Sequence, residues 1–175
     1  MIVRDFSPAD AEGVNAVALA AFAQYRGVYS DWEALTRAVG SMAGFAESGR
    51  IIVAEDSAGK IAGAVAYFGP YAGPRAEFFA PEWAIVRMLV VDPAARGRGI
   101  GRRLTEACLD LARSDGAAAI ALHTSPAMAA ALALYSRMGF RLEKRVPDRF
   151  GVPYAVYLKK LGQAGDSGPG SSPRT

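Results

Sequence analysis

Residues 89–101 constrain the fold of this chain more than any other stretch. They run from the apolar segment Leu-Val-Val through a loop with glycines at positions 97, 99 and 101, and an amphipathic helical pattern begins at Ile100. Four arginines, at positions 96, 98, 102 and 103, crowd the start of that helix. Positive charge is unfavourable at a helix N-terminus, where the dipole and the free N–H groups attract anions, so the pattern predicts a bound anion. Phosphate is the simplest such ligand.

Two other glycine-rich phosphate loops do not match this spacing. A P-loop needs Gly-Lys-Ser/Thr after a four-residue gap, and no such triplet follows. A dinucleotide site needs G-x-G-x-x-G, whereas the spacing here is G-x-G-x-G. A tight solvated turn with surface arginines is the simpler alternative, but it leaves the density of glycine and charge unexplained.

The loop instead resembles motif A of the GNAT N-acetyltransferases. The family signature is Arg/Gln-x-x-Gly-x-Gly/Ala, and Arg96, Gly99 and Gly101 match it. Further along the chain, residues 131–140 resemble the family segment A-x-x-L-Y-x-x-x-G-F. The two motifs occur in the family's order with strand and helix patterns between them, and the resemblance covers residues 50–161.

The resemblance implies an α/β (α+β) fold of the GNAT type, with a mixed, mostly antiparallel, splayed sheet flanked by helices. The hydrophobic pattern agrees, because short alternating or apolar runs predict strands and three- to four-residue spacing predicts helices. Residues 69–81 form a long loop, which we interpret as lying on the substrate side. The predicted strands are 2–5, 50–55, 60–68, 83–91, 117–124, 140–146 and 154–160, and the predicted helices are a pair between residues 8 and 42, then 100–113 and 125–138.

The composition indicates one domain. The chain has 175 residues, about half of them hydrophobic, which suits a single domain over residues 1–161. Residues 162–175 are rich in Gly, Ser and Pro and are expected to form a flexible tail. The one cysteine, Cys108, excludes a disulfide framework and a multi-cysteine metal site, so no metal is predicted and the thiol is expected to lie in the core.

Charge and hydropathy restrict the partners. The net charge is only +3, and much of the basic excess lies in the loop arginines, so no nucleic-acid partner is predicted. The chain carries no signal-peptide pattern and no apolar run of membrane-spanning length. We therefore expect no membrane association and a cytoplasmic location. A homodimer is compatible with the sequence, although no feature demands one.

The resemblance implies that acetyl-CoA is the co-substrate and that its acetyl group moves to an amine by direct attack in a ternary complex. Backbone N–H groups between residues 97 and 102 would hold the CoA pyrophosphate, and glycine permits this close approach. The exposed backbone of residues 89–91 would bind the pantetheine and orient the thioester carbonyl. The implied cofactor-binding residues are Leu89, Val90, Val91, Arg96, Gly97, Arg98, Gly99, Ile100, Gly101 and Arg102.

Tyr135 is the candidate catalytic acid. It matches the family tyrosine that lies near the CoA sulfur and protonates the departing thiolate. A phenol with a pKa near 10 stays protonated at neutral pH, as this role requires. The simpler alternative is a core tyrosine with a satisfied hydroxyl.

The general base is where the sequence departs from the family pattern. Several members carry a Glu or His four or two residues before the strand leucine, and these positions here are Ile85 and Arg87, neither of which can deprotonate an ammonium. Three alternatives stay open: a chain of water molecules, another residue such as Glu82, Glu77 or His123, or an amine that arrives partly neutral. Glu82 is the candidate catalytic residue despite its strand parity, whereas His123, the only histidine, fits a structural role better.

Arg87 also bears on the acceptor. A guanidinium facing a pocket can hold a carboxylate or phosphate in a bidentate grip, and an unpaired one beside apolar neighbours is costly. The predicted substrate-binding residues are Arg87, Trp83 and Ile85, and the predicted acceptor is an amine with an anionic group. Internal pairing of Arg87 with Glu77, Glu82 or another carboxylate is an equally weighted alternative.

The sequence thus predicts an acetyl-CoA-dependent N-acetyltransferase that acts on a primary amine of a small molecule or a peptide. Two alternatives stay open. One is a non-catalytic acyl-CoA-binding sensor module, and the other is an acetyltransferase of protein N-termini or lysines.

Overall fold

The computed structural model describes residues 1–162, so all but Gly162 of the predicted tail lies outside the described residues. Seven strands form one sheet in the order β1-β2-β3-β4-β5-β7-β6. The strands are β1 (Ile2–Asp5), β2 (Arg50–Glu55), β3 (Ile61–Phe68), β4 (Trp83–Val91), β5 (Ala119–Thr124), β6 (Arg141–Arg149) and β7 (Val152–Lys160). The α-helices are α1 (Ala11–Phe22), α2 (Trp32–Val39), α3 (Ile100–Ser114) and α4 (Ala129–Arg137).

Helices cover both faces of the sheet. On one face, α1 and α2 bury side chains such as Val14 and Leu35 against the strands. On the other face, α3 buries the stripe of Ile100, Leu104 and Cys108 that its helical spacing predicts. Cys108 is fully buried, and burial raises the pKa of its thiol to about 12, so it behaves as a core residue. Within residues 1–162, no helix has both the length and the apolar character needed to cross a bilayer.

The sheet is mixed and splayed at its centre, as predicted. All neighbouring strands are antiparallel except β4 and β5, which run parallel. These two strands pair only where Trp83–Ile85 lie beside Ala119–Ala121. From residue 86 onward, β4 keeps its pairing with β3, and no strand of residues 1–162 pairs with its other edge. A V-shaped opening with free backbone groups along β4 results, and the predicted fold class is confirmed.

A β-bulge in β4 changes which way its side chains face. Ala64 lies opposite Val90 and Ala66 lies opposite Arg87, so β4 has one extra residue in this interval. The extra residue coincides with a positive φ of 54° at Met88. Before the bulge, Arg87 faces the α1–α2 side, and after it Leu89 packs with the α3 side. The bulge therefore interrupts the regular alternation along this strand.

The last hairpin is longer than the sequence pattern predicted. Its strands meet at Phe150 and Gly151, which both have positive φ, as a type I′ turn requires. The sequence pattern predicted a strand over residues 140–146, but β6 continues through Pro147 to Arg149, because it is an edge strand, where proline is tolerated beside a bulge. A Cβ on Gly151 would lie 1.6 Å from the Ser30 hydroxyl oxygen, so the turn packs tightly against the segment between α1 and α2. This contact carries Arg149 and Phe150 to the opening of the sheet.

Candidate active site

The loop between β4 and α3 borders a groove, which we call the loop groove. Gly99 is the N-cap of α3 with a left-handed φ of 73°, and the first-turn N–H groups of a helix have no intrahelical acceptors. Asp92 holds the start of the loop by accepting from the Ala94 N–H and from Lys60 Nζ at 2.8 Å. The groove is lined by Ala21, Phe22, Gln24, Tyr25, Leu89, Val91, Ala95, Arg96, Gly97, Gly99, Ile100, Gly101, Arg102, Met128, Ala130, Ala131, Leu134 and Arg137.

Most residues predicted to bind the cofactor line this groove, but two side chains do not. Arg98 instead borders a separate pocket near Asp56, and the Val90 side chain is buried on the α1–α2 face. Arg96 donates to Gln24 Oε1 at 3.2 Å and to a carbonyl oxygen of α1, which ties the loop to that helix. Arg102 lines the groove and pairs with Glu106 at 2.8 Å. Val90 and Arg98 are therefore the two predicted cofactor-binding residues that do not line the loop groove.

A second cavity, the central chamber, continues from the loop groove into the splay between β4 and β5. The two spaces adjoin, because four residues line both of them: Phe22, Leu89, Met128 and Ala131. The chamber wall is mostly apolar. Its polar lining residues are Arg87, His123, Thr124, Tyr135, Arg149 and Tyr154.

Tyr135 reaches the chamber from α4. Its side chain is 6% exposed and its ring packs edge-on against Phe140 with centroids 5.6 Å apart. The hydroxyl makes no hydrogen bond to the described residues. Every fully buried polar side-chain atom among these residues has a hydrogen-bond partner, so the Tyr135 hydroxyl is not one of the fully buried atoms. The hydroxyl is therefore at the chamber surface. Burial raises the pKa of Tyr135, so it is protonated at neutral pH.

The two glutamates considered as bases lie away from the chamber. Glu82 is exposed and precedes β4, about 16 Å along the strand from Arg87. Glu77 is exposed in the loop of residues 69–81. Neither lines the loop groove or the central chamber. Glu82 was expected to reach the pocket from irregular backbone, but β4 is extended from Trp83 onward and leaves it at the far end, so this geometry does not support it as the base.

His123 is held in a structural environment. Its ring lies 5.3–5.7 Å from those of Phe78, Phe79 and Tyr154. Arg149 donates to His123 Nε2 at 2.8 Å, and since guanidinium has no acceptor, the imidazole proton is on Nδ1. Burial, followed by the charges of Arg149 and Arg87, lowers the pKa of His123 to about 4. The ring is neutral and its basic nitrogen is occupied, which favours the structural role.

The predicted acceptor residues are divided by the structure. Arg87 lines the central chamber and also a third space, the side pocket, which lies under the loop of residues 69–81. Ile85 lines the side pocket, whereas Trp83 is half-buried against the core and lines neither space. The loop of residues 69–81 thus covers the side pocket, and its assignment to the substrate side stays a prediction. Arg87 makes no ion pair in residues 1–162, so the predicted pairing with Glu77 or Glu82 is absent from the described part.

Three residues that sequence reasoning missed complete the chamber. The Arg87 guanidinium lies over the ring of Phe45, and the distance from its central carbon to the ring centroid is 4.6 Å. Arg149 and Tyr154 enter from the β6–β7 hairpin. The Phe-Gly pair at the hairpin turn was the one local signal for this hairpin, and it is weak compared with Asn-Gly or Asp-Gly.

Comparison with known families and relatives gives the following matches. The sequence profile of the acetyltransferase (GNAT) family matches residues 16–140. A mycothiol acetyltransferase of Beutenbergia cavernae is 40% identical over 68 residues, which are 39% of this chain and 23% of the relative. An L-methionine sulfoximine/L-methionine sulfone acetyltransferase of Pseudomonas aeruginosa is 28% identical over 100 residues, 56% of this chain and 54% of the relative. The matched segments therefore span from just under a quarter to just over half of the length of these relatives.

Solved structures share the fold over almost the whole chain. The PaiA N-acetyltransferase from Thermoplasma acidophilum, in complex with coenzyme A, superposes with a TM-score of 0.72 and 19% identity, covering 91% of this chain and 98% of that one. A ribosomal-protein-alanine N-acetyltransferase from Brucella melitensis gives a TM-score of 0.68 and 22% identity, covering 92% and 100%. At these identities the similarity demonstrates the shared fold.

Proposed function

The chain belongs to the acetyltransferase (GNAT) family, and on this premise we propose that it transfers an acetyl group from acetyl-CoA to a primary amine of a small molecule or a peptide. The family match over residues 16–140 confirms the family membership that the two motifs predicted. One observation carries the proposal: two adjoining spaces extend from the N-terminus of α3, along the edge of β4 that β5 leaves unpaired, to Tyr135.

The loop groove suits the donor. The pyrophosphate of acetyl-CoA would lie at the α3 N-terminus, where free N–H groups and the helix dipole favour negative charge. Arg102 and Arg137 add positive charge to the lining, and none of the groove's lining residues is acidic. The pantetheine would run along β4, whose backbone has no strand partner on this edge from residue 86 onward. Its thiol end would then reach the central chamber.

The chamber suits direct acyl transfer. The amine nitrogen attacks the thioester carbonyl, forming the C–N bond, and the C–S bond then breaks to release a thiolate. Tyr135 donates its proton to that thiolate. The nitrogen loses one proton on forming the amide, and transfer of this proton through water restores the tyrosine. The products are the N-acetylated acceptor and CoA with a free thiol.

The chamber supplies no general base among the described residues, which favours an acceptor that reacts as the neutral amine. No lining residue is acidic, and the basic nitrogen of His123 accepts from Arg149. Two guanidinium groups in the chamber disfavour a third positive charge, so they lower the pKa of a bound ammonium. Deprotonation before attack then replaces a protein base.

The names of the relatives agree with an amine acceptor. They include the L-methionine sulfoximine/L-methionine sulfone acetyltransferase, a small-molecule enzyme by its name, and N-alpha-acetyltransferase 30 of Schizosaccharomyces pombe, which is 39% identical over 61 residues, 35% of this chain and 41% of that one. The matched segments are partial, so the acceptor of this chain is a proposal. A Tyr135 hydroxyl with no partner among the described residues favours catalysis over a CoA sensor, which has no need of a proton donor.

A coupled pair of assays tests the proposal. Titration calorimetry with CoA measures donor binding, and release of free thiol from acetyl-CoA is then followed against a panel of small-molecule and peptide amines. We expect CoA binding together with thiol release that depends on at least one amine. CoA binding with no amine-dependent release over the whole panel would favour the sensor, and no CoA binding would contradict the assignment of the loop groove.

A further inference from the structure

Two arginines meet in the central chamber without an acidic partner. Arg87 and Arg149 both line the chamber and the side pocket. The Arg87 guanidinium lies over Phe45 and 5.9 Å from the Phe68 ring centroid, and no hydrogen-bond acceptor for it is found among residues 1–162. Arg149 lies 5.2 Å from the Phe150 ring centroid and donates to the neutral His123. Neither charge is therefore compensated by the described protein.

A nearby arginine shows how this fold satisfies a guanidinium whose role is structural. Arg75 also lines the side pocket, and it donates five hydrogen bonds to backbone carbonyls at 2.9–3.2 Å. Those bonds join the two ends of the loop of residues 69–81, since the acceptors include Gly69 and Pro81. Both terminal nitrogens of the Arg75 guanidinium are thus occupied, whereas no N–H donor of Arg87 has an acceptor among residues 1–162.

The surroundings of Arg87 make an unpaired charge costly. None of the residues that line the chamber or the side pocket is Asp or Glu. The other ionisable groups facing the pair are His123, which is neutral, the protonated phenols Tyr135 and Tyr154, and Arg75, whose terminal nitrogens donate to backbone carbonyls. Burial and the charge of Arg149 both lower the pKa of Arg87, which indicates unrelieved positive potential. An anion would relieve it.

We infer that the acceptor is an amine that also carries a carboxylate and an apolar side group. The planar guanidinium of Arg87 matches a carboxylate in a bidentate grip, and Arg149 adds a second charge. The side group would pack in the side pocket against Phe68, Phe78 and Phe79. This inference rests on the proposed function and names the substrate class of the same site. The carboxylate compensates one of the two guanidinium charges, and the other still lowers the pKa of the bound ammonium, which fits the absence of an acidic lining residue.

Matched acceptors test the inference. Apolar α-amino acids, their carboxamides and the corresponding decarboxylated amines are compared by kcat/KM, corrected for the fraction of neutral amine. Wild-type protein should prefer the carboxylate by about 10- to 100-fold, the effect of a hydrogen bond to a charged group. Arg87→Met should abolish this preference, because the rate with the carboxylate should fall much further than the rate with the carboxamide, which loses only the effect of Arg87 on the amine pKa. Arg145→Met is the control, because Arg145 is exposed on the same strand as Arg149 and lines neither space.

A binding measurement keeps the result independent of turnover. An apolar carboxylic acid without an amine should bind the CoA complex of the wild type by calorimetry, and Arg87→Met should lose that binding. Arg87→Lys keeps the positive charge but loses the planar pair of donors, so its affinity for the carboxylic acid should lie between those of the wild type and Arg87→Met. This variant replaces Arg87→Met in the test if the methionine variant does not fold. Equal rates for carboxylate and carboxamide in the wild type, or equal losses for both in Arg87→Met, would overturn the inference. Transfer to carboxamides alone would contradict the inferred carboxylate acceptor and would still support the proposed acetyltransferase function. Absence of transfer to every amine would count against the acetyltransferase function, and the carboxylic acid titration would then decide whether Arg87 binds a carboxylate.

Discussion

Replacing Gly99 with alanine should weaken CoA binding without unfolding the protein. Gly99 has a φ of 73°, and a Cβ added there would meet no atom within 4 Å, so the methyl group would enter the open volume of the loop groove. A left-handed conformation costs a non-glycine residue about 1–2 kcal/mol. Reduced freedom of the unfolded chain returns about 0.4–1 kcal/mol. We therefore expect the free energy of unfolding to fall by about 1 kcal/mol.

Gly116 provides a matched control. Its φ is 68°, a Cβ there would also meet no atom within 4 Å, and it lies just beyond the opposite end of α3. Gly116→Ala should thus lose the same stability, but it is outside the loop groove. Only Gly99→Ala should disturb the pyrophosphate. Loss of one N–H hydrogen bond to a charged phosphate is worth about 1.5–3 kcal/mol, which raises the Kd for CoA by about 10- to 150-fold.

Thermal unfolding and titration calorimetry separate the two effects. For a chain of this size, a loss of 1 kcal/mol lowers the Tm by roughly 2–4 °C, and both variants should show this shift. The Kd for CoA should rise for Gly99→Ala and stay at the wild-type value for Gly116→Ala. If two folded variants bind CoA equally well, the backbone of the loop does not hold the pyrophosphate, and the interpretation of residues 96–101 fails.

Four further predictions address turnover, pH dependence and the loop. Tyr135→Phe should lower kcat by about 10²-fold with an unchanged Kd for CoA. A wild-type rate in this variant would show that Tyr135 is a core residue and not the catalytic acid. The rising limb of the pH profile of kcat/KM should shift with the amine pKa when two acceptors are compared, whereas a limb that stays at one pH would reveal a protein base. Because the pKa of His123 is lowered to about 4, the unfolded chain takes up its proton first and stability falls as the pH drops from about 6.5 toward 4. Chemical denaturation should accordingly show wild type losing about 2 kcal/mol more than His123→Gln between pH 7 and pH 5, and equal losses would contradict the neutral histidine. Arg75→Lys should release the loop of residues 69–81, raising the acceptor KM and the rate of proteolysis there while CoA affinity is kept, and unchanged proteolysis would show that its five bonds do not hold the loop.

The parts of the site predicted from the sequence are those set by neighbouring residues. The glycine loop follows β4 and precedes α3 within a dozen residues, so its backbone geometry and charge are both readable locally. The Tyr135 segment is likewise contained in one helix. The splay required the family resemblance, because the divergence of β4 from β5 depends on pairing between distant strands.

The parts that were missed depend on contacts between distant segments. The position of Glu82 was left open because strand parity says nothing about where a strand lies in the sheet, and the structure places it at the paired end. Arg149 reaches the chamber only because β6 continues through Pro147 and its turn packs against Ser30. The bulge at Met88 has no local sequence signature, since a positive φ at a methionine reflects constraint from the surrounding strands.

The absent base and the unpaired arginines have one physical explanation. An Asp or Glu side chain in the central chamber would stabilise the ammonium form of the amine and would pair with Arg87. It would therefore oppose both deprotonation of the amine and binding of an acidic acceptor. The chamber instead contains Arg87 and Arg149 and no acidic lining residue among the described residues, so it acts favourably on both the carboxylate and the amine of an amino carboxylate. It attracts the carboxylate and lowers the pKa of the nearby ammonium. If the proposed function holds, Ile85 and Arg87, which stand where the family pattern implies a base, are the chemical condition for accepting an amino carboxylate.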